Sequence, residues 1–306
     1  MAVKSRESNK SNHLAAAVGG IFLIAVAIIA AYSFFPQEGC IGVVEISGTL
    51  STQDVPSSLF TDEQKGSQTI ASEIEAAGSR QDVRAVLLLI DSPGGSVVAS
   101  QEVYSAVHAL NKTSVAFIRE MAASGGYYAA AGTDYIVANP DALTGSIGAR
   151  ATLDDYSGLM EKLGVNSTTF KTGDMKDMGS SARQMTEKER AVWQSIVDES
   201  FLSFRTAVEE GRKGKLDPAG FATALDARVL TGRQAKKIGL VDELGNKDAA
   251  IAAAARLSNM TLAPGAKPRL CEISSSKKQG ALFGSLSSEA LRFFLQSAGG
   301  FHVSYK

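Results

Sequence analysis

Two apolar segments, each leading into a glycine-rich turn, constrain the fold of this chain more than any other feature. Val83–Asp91 is almost continuously apolar and runs into Pro93–Gly95. Ser114–Ile118 is followed, a few residues later, by Ser124–Gly126 and a segment of small residues. Short apolar runs without polar alternation are typical of strands covered on both faces, as in parallel sheets. The sequence therefore predicts an α/β domain with a mainly parallel sheet.

The neighbouring segments fit this alternation of strands and helices. Cys40–Ile46 and Tyr135–Asn139 are predicted strands, and the pattern over residues 96–110 predicts a helix between two strands. Residues 51–68 are polar and lack periodicity, so we expect a surface loop there. The apolar stripe of the 96–110 helix consists of Val103, Val107 and Leu110.

A long helix is predicted at Thr186–Arg212. Thr186 and Glu189 have the spacing of a capping box, which marks the start of a helix. Its apolar residues recur at helical spacing, and we expect them to pack in the core. They are Trp193, Ile196, Val197, Phe201, Phe204 and Val208.

The amino-terminal region differs most from a soluble domain. Residues 14–35 form an uncharged run of 22 residues, long enough to cross a bilayer as a helix. The positive charges of Lys4, Arg6 and Lys10 precede it, which predicts residues 1–13 in the cytoplasm and the rest of the chain outside. A cleaved signal peptide is the alternative, but the run is longer than a typical signal sequence and lacks a clear cleavage site.

This organisation predicts a cell-membrane protein with one catalytic domain. The domain spans residues 40–258, and residues 259–306 form a tail that is expected to be partly helical. The helical spacing in the tail comes from Leu286, Ala290, Leu291 and Phe294.

The net charge and the spacing of the cysteines and histidines argue against several functions. The net charge is −1 and the basic residues are dispersed, so no nucleic-acid partner is expected. Cys40 and Cys271 are far apart and make no metal motif, although a single disulfide between them stays open. His13, His108 and His302 share no motif spacing, so we expect neither a metal nor another cofactor.

Ser124 is the candidate nucleophile. The two glycines after it allow a sharp turn and close approach of a substrate, whereas the alternative role is that of an ordinary helix-capping serine. If the strands at Val83–Asp91 and Ser114–Ile118 are neighbours, both glycine turns open at one sheet edge. The N–H groups of Gly95 and Gly125 could then bind a carbonyl oxygen from two sides.

A lysine is the candidate base, since no histidine is suitably placed in the sequence. A lysine accepts a proton only when it is uncharged, which requires burial or a nearby positive charge. Lys176 lies in a glycine-punctuated loop, where Ser180 or Ser181 could orient its amine. Lys171 is the rival, and spacing alone leaves both open.

Five motifs in this order resemble the signal peptide peptidase A proteins of peptidase family S49, over about residues 41–258. The resemblance implies a ClpP/crotonase-type fold, with Ser124 as nucleophile, Lys176 rather than Lys171 as general base and acid, and Gly95 and Gly125 as oxyanion hole. The motifs are Asp91–Gly95, Met121–Gly126, Leu143–Gly148, Lys176–Ser180 and Leu230–Gly245.

The resemblance also implies substrates and partners. Such proteases degrade apolar peptides, including signal peptides that remain in the membrane, and form homo-oligomers in which serine and lysine meet across protomer contacts. Within Leu230–Gly245 it implies that Thr231 caps a short helix and that Asp242 is an ion-pair partner.

Two other functions are possible for such a sequence. A crotonase-type acyl-CoA enzyme would have the same fold, but no glutamate follows either glycine turn, and the predicted anchor does not suit a soluble acyl-CoA. A non-catalytic membrane scaffold is disfavoured because the serine, the lysine and both glycine turns are present.

Overall fold

The computed structural model describes residues 39–57, 63–263 and 265–273. The predicted membrane segment at 14–35 and the predicted helical residues 286–294 of the tail lie outside this part of the chain. Among the described helices, none combines the length and the apolar character that crossing a membrane requires.

Strands and helices alternate through most of the described chain. The strands are β1 Cys40–Leu50, β2 Val83–Gly95, β3 Thr113–Ala123, β4 Tyr135–Ala138, β5 Leu143–Gly145, β6 Val229–Thr231, β7 Glu243–Leu244 and β8 Arg269–Glu272. The helices are α1 Ser67–Ser79, α2 Val97–His108, α3 Gly125–Ala131, α4 Ser157–Lys162, α5 Glu187–Gly211, α6 Pro218–Ala224, α7 Gly232–Lys237 and α8 Lys247–Leu257.

These eight strands form one sheet, in the order β6-β5-β3-β2-β1-β8, with β4 and β7 branching from β3. Among its pairs, β5–β6 is antiparallel, whereas the central pairs β1–β2 and β2–β3 are parallel. The predicted α/β class with a mainly parallel sheet is therefore confirmed. The two strands expected to be neighbours, now β2 and β3, are neighbours.

The sheet divides along β3. Its first half, Val115–Ile118, pairs with β4, whereas Met121–Ala123 pairs with β5. The register between β2 and β3 shifts after the pair Ile90 and Ile118. The next pair is Ser92 and Ala122, so β3 has two extra residues between these pairs. The carboxyl end of β3 thus passes onto β5, and the glycine turns lie where the sheet divides.

The core occupies both faces of the sheet because the side chains of β2 alternate between them. Leu88 and Ile90 belong to the larger apolar cluster, together with residues of α1, α2 and α3. Leu87 belongs to the second cluster, against the alanines of α8. Residues of this central strand are buried on both sides, which explains its nearly continuous apolar sequence.

A buried ion pair joins the end of α5 to the segment before β7. Arg212 is fully buried, and its Nη1 lies 2.7 Å from Oδ2 of Asp242. Burial raises the pKa of Asp242, but the hydrogen bond and charge of Arg212 outweigh it and hold this pKa below its ordinary value. The expectations that Asp242 is an ion-pair partner and that Thr231 caps a short helix, α7, are both confirmed.

A disulfide attaches the last described strand to the first. Cys40 and Cys271 are bonded, and β8 pairs in parallel with β1. The sheet therefore extends beyond residue 258, into the segment that the sequence pattern assigns to the tail. The bridge joins two residues that are 231 positions apart in sequence.

Two sequence expectations need correction. The predicted loop at 51–68 ends at Gly66, and the chain then forms α1, which the sequence analysis did not predict. The predicted helix at Thr186–Arg212 is present with its capping box, but only part of its apolar stripe packs in the core. Phe204 and Val208 are buried, whereas Ile196 is 43 % exposed, and Glu189 is the only buried residue from 187 to 203.

Candidate active site

Ser124 has a backbone conformation that non-glycine residues rarely adopt. It connects β3 to α3 with φ 52° and ψ −122°. Its N–H donates to the carbonyl oxygen of Gly145 at 2.9 Å, and its own carbonyl accepts from Tyr128 at 2.9 Å. Such strain persists only where the surrounding structure enforces it, and it is common at functional sites, including the strand-to-helix turns of serine hydrolases.

The hydroxyl of Ser124 is not used to cap the helix. Ser124 occupies the N-cap position of α3, yet its side chain makes no capping hydrogen bond. At the equivalent positions of α2 and α5, Ser96 and Thr186 do accept a backbone N–H. The structure therefore does not support the capping-serine alternative and leaves this hydroxyl available for other chemistry.

The two glycine turns are in direct contact. A Cβ atom at Gly94, where φ is +93°, would lie 2.5 Å from the nitrogen of Gly125 and 3.0 Å from the Cβ of Ser124. A Cβ at Gly125 would lie 2.1 Å from Oγ of Ser100. Only glycine allows this approach, so the expectation that both turns meet at one sheet edge is confirmed.

Two glycines place backbone N–H groups near Ser124, since Gly125 follows it in sequence and Gly95 lines the same cavity. Ser96 N–H donates to the Leu50 carbonyl at 2.8 Å, so the preceding N–H, that of Gly95, faces the opposite edge of β2. Gly125 is the first residue of α3, and the first N–H groups of a helix lack a partner within it. Two backbone donors beside an uncapped serine hydroxyl suit stabilisation of a developing oxyanion.

A cavity of about 580 Å³ opens at this turn. It contains a second serine, Ser146, which also has a positive φ of 52° and which the sequence analysis did not assign a role. The sequence contained a signal for Ser146. It lies directly after Gly145 at the end of a short strand, much as Ser124 lies between the end of β3 and a glycine pair. The lining residues are Thr49, Pro93, Gly94, Gly95, Val97, Ser124, Ser146, Gly148, Ala149, Arg150 and Ala227.

Lys176 does not line this cavity in the single chain. It lies in a segment, residues 150–203, that we call the arm, in which Glu189 is the only buried residue. Lys176 itself is exposed. One chain therefore brings together Ser124, Gly95 and Gly125 but not Lys176.

Lys171 is engaged elsewhere. Its Nζ lies 2.5 Å from Oδ1 of Asp177 and 2.9 Å from the carbonyl oxygen of Asp174. An ion pair with a carboxylate stabilises the charged amine, whereas a general base must be uncharged. This geometry favours Lys176 between the two candidates.

The expected orientation of the Lys176 amine by Ser180 or Ser181 is not seen in the single chain. Oγ of Ser180 instead accepts the N–H of Ala182 at 3.3 Å, and the carbonyl of Ser181 accepts the N–H of Tyr156 at 2.8 Å.

A mainly parallel α/β sheet with a strained, uncapped serine at a glycine-lined cavity is an arrangement found in serine hydrolases. Comparison with known proteins identifies the family within this class. The model of Peptidase family S49 matches residues 106–261, which include Ser124 and Lys176, and the Clp protease model matches residues 58–144. The chain belongs to peptidase family S49 and is a serine protease.

Relatives agree with this assignment. The chain is 35% identical over 228 residues to an inferred protease of Methanocaldococcus jannaschii, covering 74% of this chain and 71% of that protein. It is 36% identical over 198 residues to an inferred signal peptide peptidase SppA of Enterococcus faecium, covering 64% and 57%. It is 30% identical over 223 residues to the chloroplastic serine protease SPPA of Arabidopsis thaliana, covering 72% and 32%. The chain thus spans about a third of the length of the plant protein.

Gly95→Ala tests the glycine turn. The added Cβ would lie 2.1 Å from the Leu50 carbonyl oxygen, so the turn and its N–H must shift. We expect kcat/KM for an apolar peptide to fall about a hundredfold, as for loss of one oxyanion donor. Gly78→Ala on α1 is the matched control, because it lies outside both the cavity and the arm and its Cβ would meet only the Leu110 side chain, at 3.0 Å. Equal activity of the two folded variants, checked by circular dichroism, would contradict a role for this turn.

Proposed function

We propose that this protein is a membrane-anchored serine endopeptidase with a Ser124–Lys176 dyad, which degrades apolar peptides such as cleaved signal peptides. The observation that carries the proposal is the strained and uncapped Ser124 at a cavity between two glycine turns. The name of the Enterococcus faecium relative supports signal peptides as the substrate class. No cofactor and no nucleic acid take part in this function.

The proposed chemistry is an acyl transfer to serine. Oγ of Ser124 attacks the carbonyl carbon of the peptide while the uncharged amine of Lys176 takes the hydroxyl proton. The carbonyl electron pair moves onto oxygen, and the N–H groups of Gly95 and Gly125 donate to this oxyanion. When the C–N bond breaks, the leaving amine takes the proton from Lys176. Water activated by the same lysine then hydrolyses the ester and restores the hydroxyl.

The proposal requires a second copy of the chain. Lys176 is exposed in one chain, whereas a lysine base must be desolvated or close to positive charge. The arm also exposes large apolar side chains without a core beneath them, including Leu163 at 68 % and Phe170 at 95 %. We infer that the arm of one protomer packs on its neighbour and brings Lys176 to the neighbour's Ser124, in a homo-oligomer.

The proposed location is the cell membrane, with residues 1–13 in the cytoplasm and the catalytic domain outside. The uncharged run at 14–35 and the basic residues before it support this orientation. The Cys40–Cys271 disulfide supports it independently, because disulfides persist in oxidising compartments.

Ser124→Ala and Lys176→Ala test the dyad. Each should lower hydrolysis of an apolar fluorogenic peptide by at least about a thousandfold, because nucleophile and base act as a unit. Lys171→Ala should keep at least about a hundredfold more activity than Lys176→Ala, since its amine is held by Asp177. Unchanged thermal unfolding shows that the variants fold. Persistent activity of Ser124→Ala or Lys176→Ala would refute the dyad.

The same variants test whether the dyad forms between protomers. Ser124→Ala and Lys176→Ala chains, each inactive alone, should regain about a quarter of the wild-type activity when assembled together in equal amounts. A mixture of wild type with the double variant is the matched control. It should also show about a quarter of the wild-type activity, whereas a dyad within one chain would give about half. An inactive mixture with normal assembly would contradict a shared site.

Extraction with alkaline carbonate tests the anchor. We expect the full-length chain to stay with the membrane pellet and the variant Leu23→Arg/Ala27→Arg to be released, because two charges in the apolar run oppose insertion. Protease added outside intact cells should digest the catalytic domain and spare residues 1–13. Release of the unmodified chain, or digestion from the cytoplasmic side only, would contradict the proposed location.

A further inference from the structure

The arm is ordered by charge rather than by apolar burial. Within residues 150–203 Glu189 alone is buried, so no apolar core holds the loop that carries Lys176. Two glycines with positive φ, Gly173 at 78° and Gly179 at 87°, bound this loop. Polar contacts therefore hold much of the loop around Lys176.

Arg183 makes the central polar contact of the loop. Its Nη2 lies 2.7 Å from Oδ1 of Asp177, and its Nε lies 3.0 Å from Oδ2, a bidentate pair. The same Nη2 also donates to the backbone carbonyl of Asp177 at 3.3 Å. Asp177 directly follows Lys176, so the guanidinium holds both the side chain and the backbone of the adjacent residue.

Arg183 also joins the loop to the start of α5. Its Nη1 lies 3.0 Å from Oε2 of Glu189, whose side chain is 2 % exposed. That carboxylate accepts the N–H of Thr186 at 2.8 Å and completes the capping box of the helix. The guanidinium therefore connects the residue after Lys176 to the capped start of α5.

The charges have a consequence for a lysine base. A free carboxylate at Asp177 would attract the neighbouring Lys176 amine and keep it charged. Arg183 and then Lys171 instead engage this carboxylate, and their hydrogen bonds hold the pKa of Asp177 well below its usual range. Arg183, followed by the N–H of Thr186, lowers the pKa of Glu189 to about 2. At neutral pH both carboxylates are therefore charged and already paired.

Other charged groups surround the loop on the elements packed against it. The segment before and within α4 contacts the loop through the Tyr156–Ser181 hydrogen bond, and Trp193 of α5 lies beside Gly179. Residues 154–162 and the first turn of α5 carry Asp154, Asp155, Glu161, Lys162, Glu187, Lys188 and Arg190, and the loop adds Lys171 and Asp174. Of the charged groups here, Arg183 is the one that bonds both Asp177 and Glu189.

We propose that Arg183 is a positioning residue for Lys176. Its guanidinium fixes Asp177 and balances the negative charge of that carboxylate, so that the carboxylate does not hold the adjacent lysine amine in its charged form. The inference rests on the proposed dyad. Arg183 touches neither substrate nor reacting atoms, and it acts through the residue next to the base.

Arg183→Gln tests this inference with full-length protein in detergent and an apolar fluorogenic peptide. We expect kcat to fall about tenfold or more with little change in KM, because the base is misplaced but the substrate cavity is intact. The alkaline-rising limb of the activity–pH profile should move up by about half a pH unit, because Asp177 loses its partner. Arg205→Gln is the matched control, since Arg205 pairs with Glu209 on α5 far from this loop in sequence.

Two conservative variants separate charge from geometry. Arg183→Lys keeps the positive charge without the bidentate contact, so it should keep the midpoint of the pH profile and recover only part of kcat. Glu189→Gln keeps the capping box but weakens the contact with Arg183, so it should lower the unfolding temperature modestly and lower kcat less than Arg183→Gln. Both variants remain informative if Arg183→Gln does not fold.

The outcomes distinguish this inference from the dyad itself. If Lys176→Ala is inactive while Arg183→Gln matches Arg205→Gln in kcat and pH midpoint, the positioning role is wrong and the dyad stands. If Lys176→Ala keeps its activity, the dyad fails and the positioning role fails with it. An unshifted pH midpoint in Arg183→Gln with a lower melting temperature would reduce Arg183 to a structural residue and overturn the proposal.

Discussion

The contact between two backbone turns determines the architecture of the site. Gly94 and Gly125 approach so closely that a Cβ on Gly94 would lie 2.5 Å from the Gly125 nitrogen. This contact requires that β2 and β3 be parallel neighbours and that both end at the same edge of the sheet. Ser124, between these turns, has a positive φ and makes no capping hydrogen bond to the helix that it precedes. The cavity, the strained serine and the two glycine turns therefore occur together at one edge of the sheet.

The body and the arm are stabilised by different interactions. In the body, apolar clusters cover both faces of the sheet, and the buried Arg212–Asp242 pair joins the helix layer to it. In the arm, a chain of alternating charges replaces the core, running from Lys171 through Asp177 and Arg183 to Glu189. A segment of this kind gains further stability when its apolar side chains meet another surface. This separation is consistent with the proposed site, in which Ser124 belongs to the body and Lys176 to the arm of a neighbouring protomer.

The sequence predicted those parts of the structure that local patterns determine. The apolar run of β2, the capping box of Thr186 and Glu189 and the glycine turns all lie within a few residues, and each was predicted close to its observed position. What was missed or left open depends on long-range geometry. The pairing of β8 with β1 and the disulfide between Cys40 and Cys271 join distant segments. Similarly, α1 contains few strongly apolar residues, and its burial depends on packing against α2.

The candidate site was likewise predictable only where local sequence patterns determine it. Ser124 and the glycines follow from turn chemistry, whereas the exposure of Lys176 and the engagement of Lys171 by Asp177 depend on side-chain contacts. The stripe of α5 illustrates the same limit, because helical periodicity identifies an apolar face but not the surface that covers it. Ile196 belongs to that face and is nevertheless exposed in the single chain.

A structure of the assembled full-length protein with a peptide boronate tests the central claim most directly. The account predicts a covalent bond from boron to Oγ of Ser124, with a boronate oxygen accepting from the N–H groups of Gly95 and Gly125. It also predicts Nζ of Lys176 from a neighbouring protomer within about 3 Å of that Oγ. Boron bound at another residue, or Nζ facing solvent in every protomer, would contradict it.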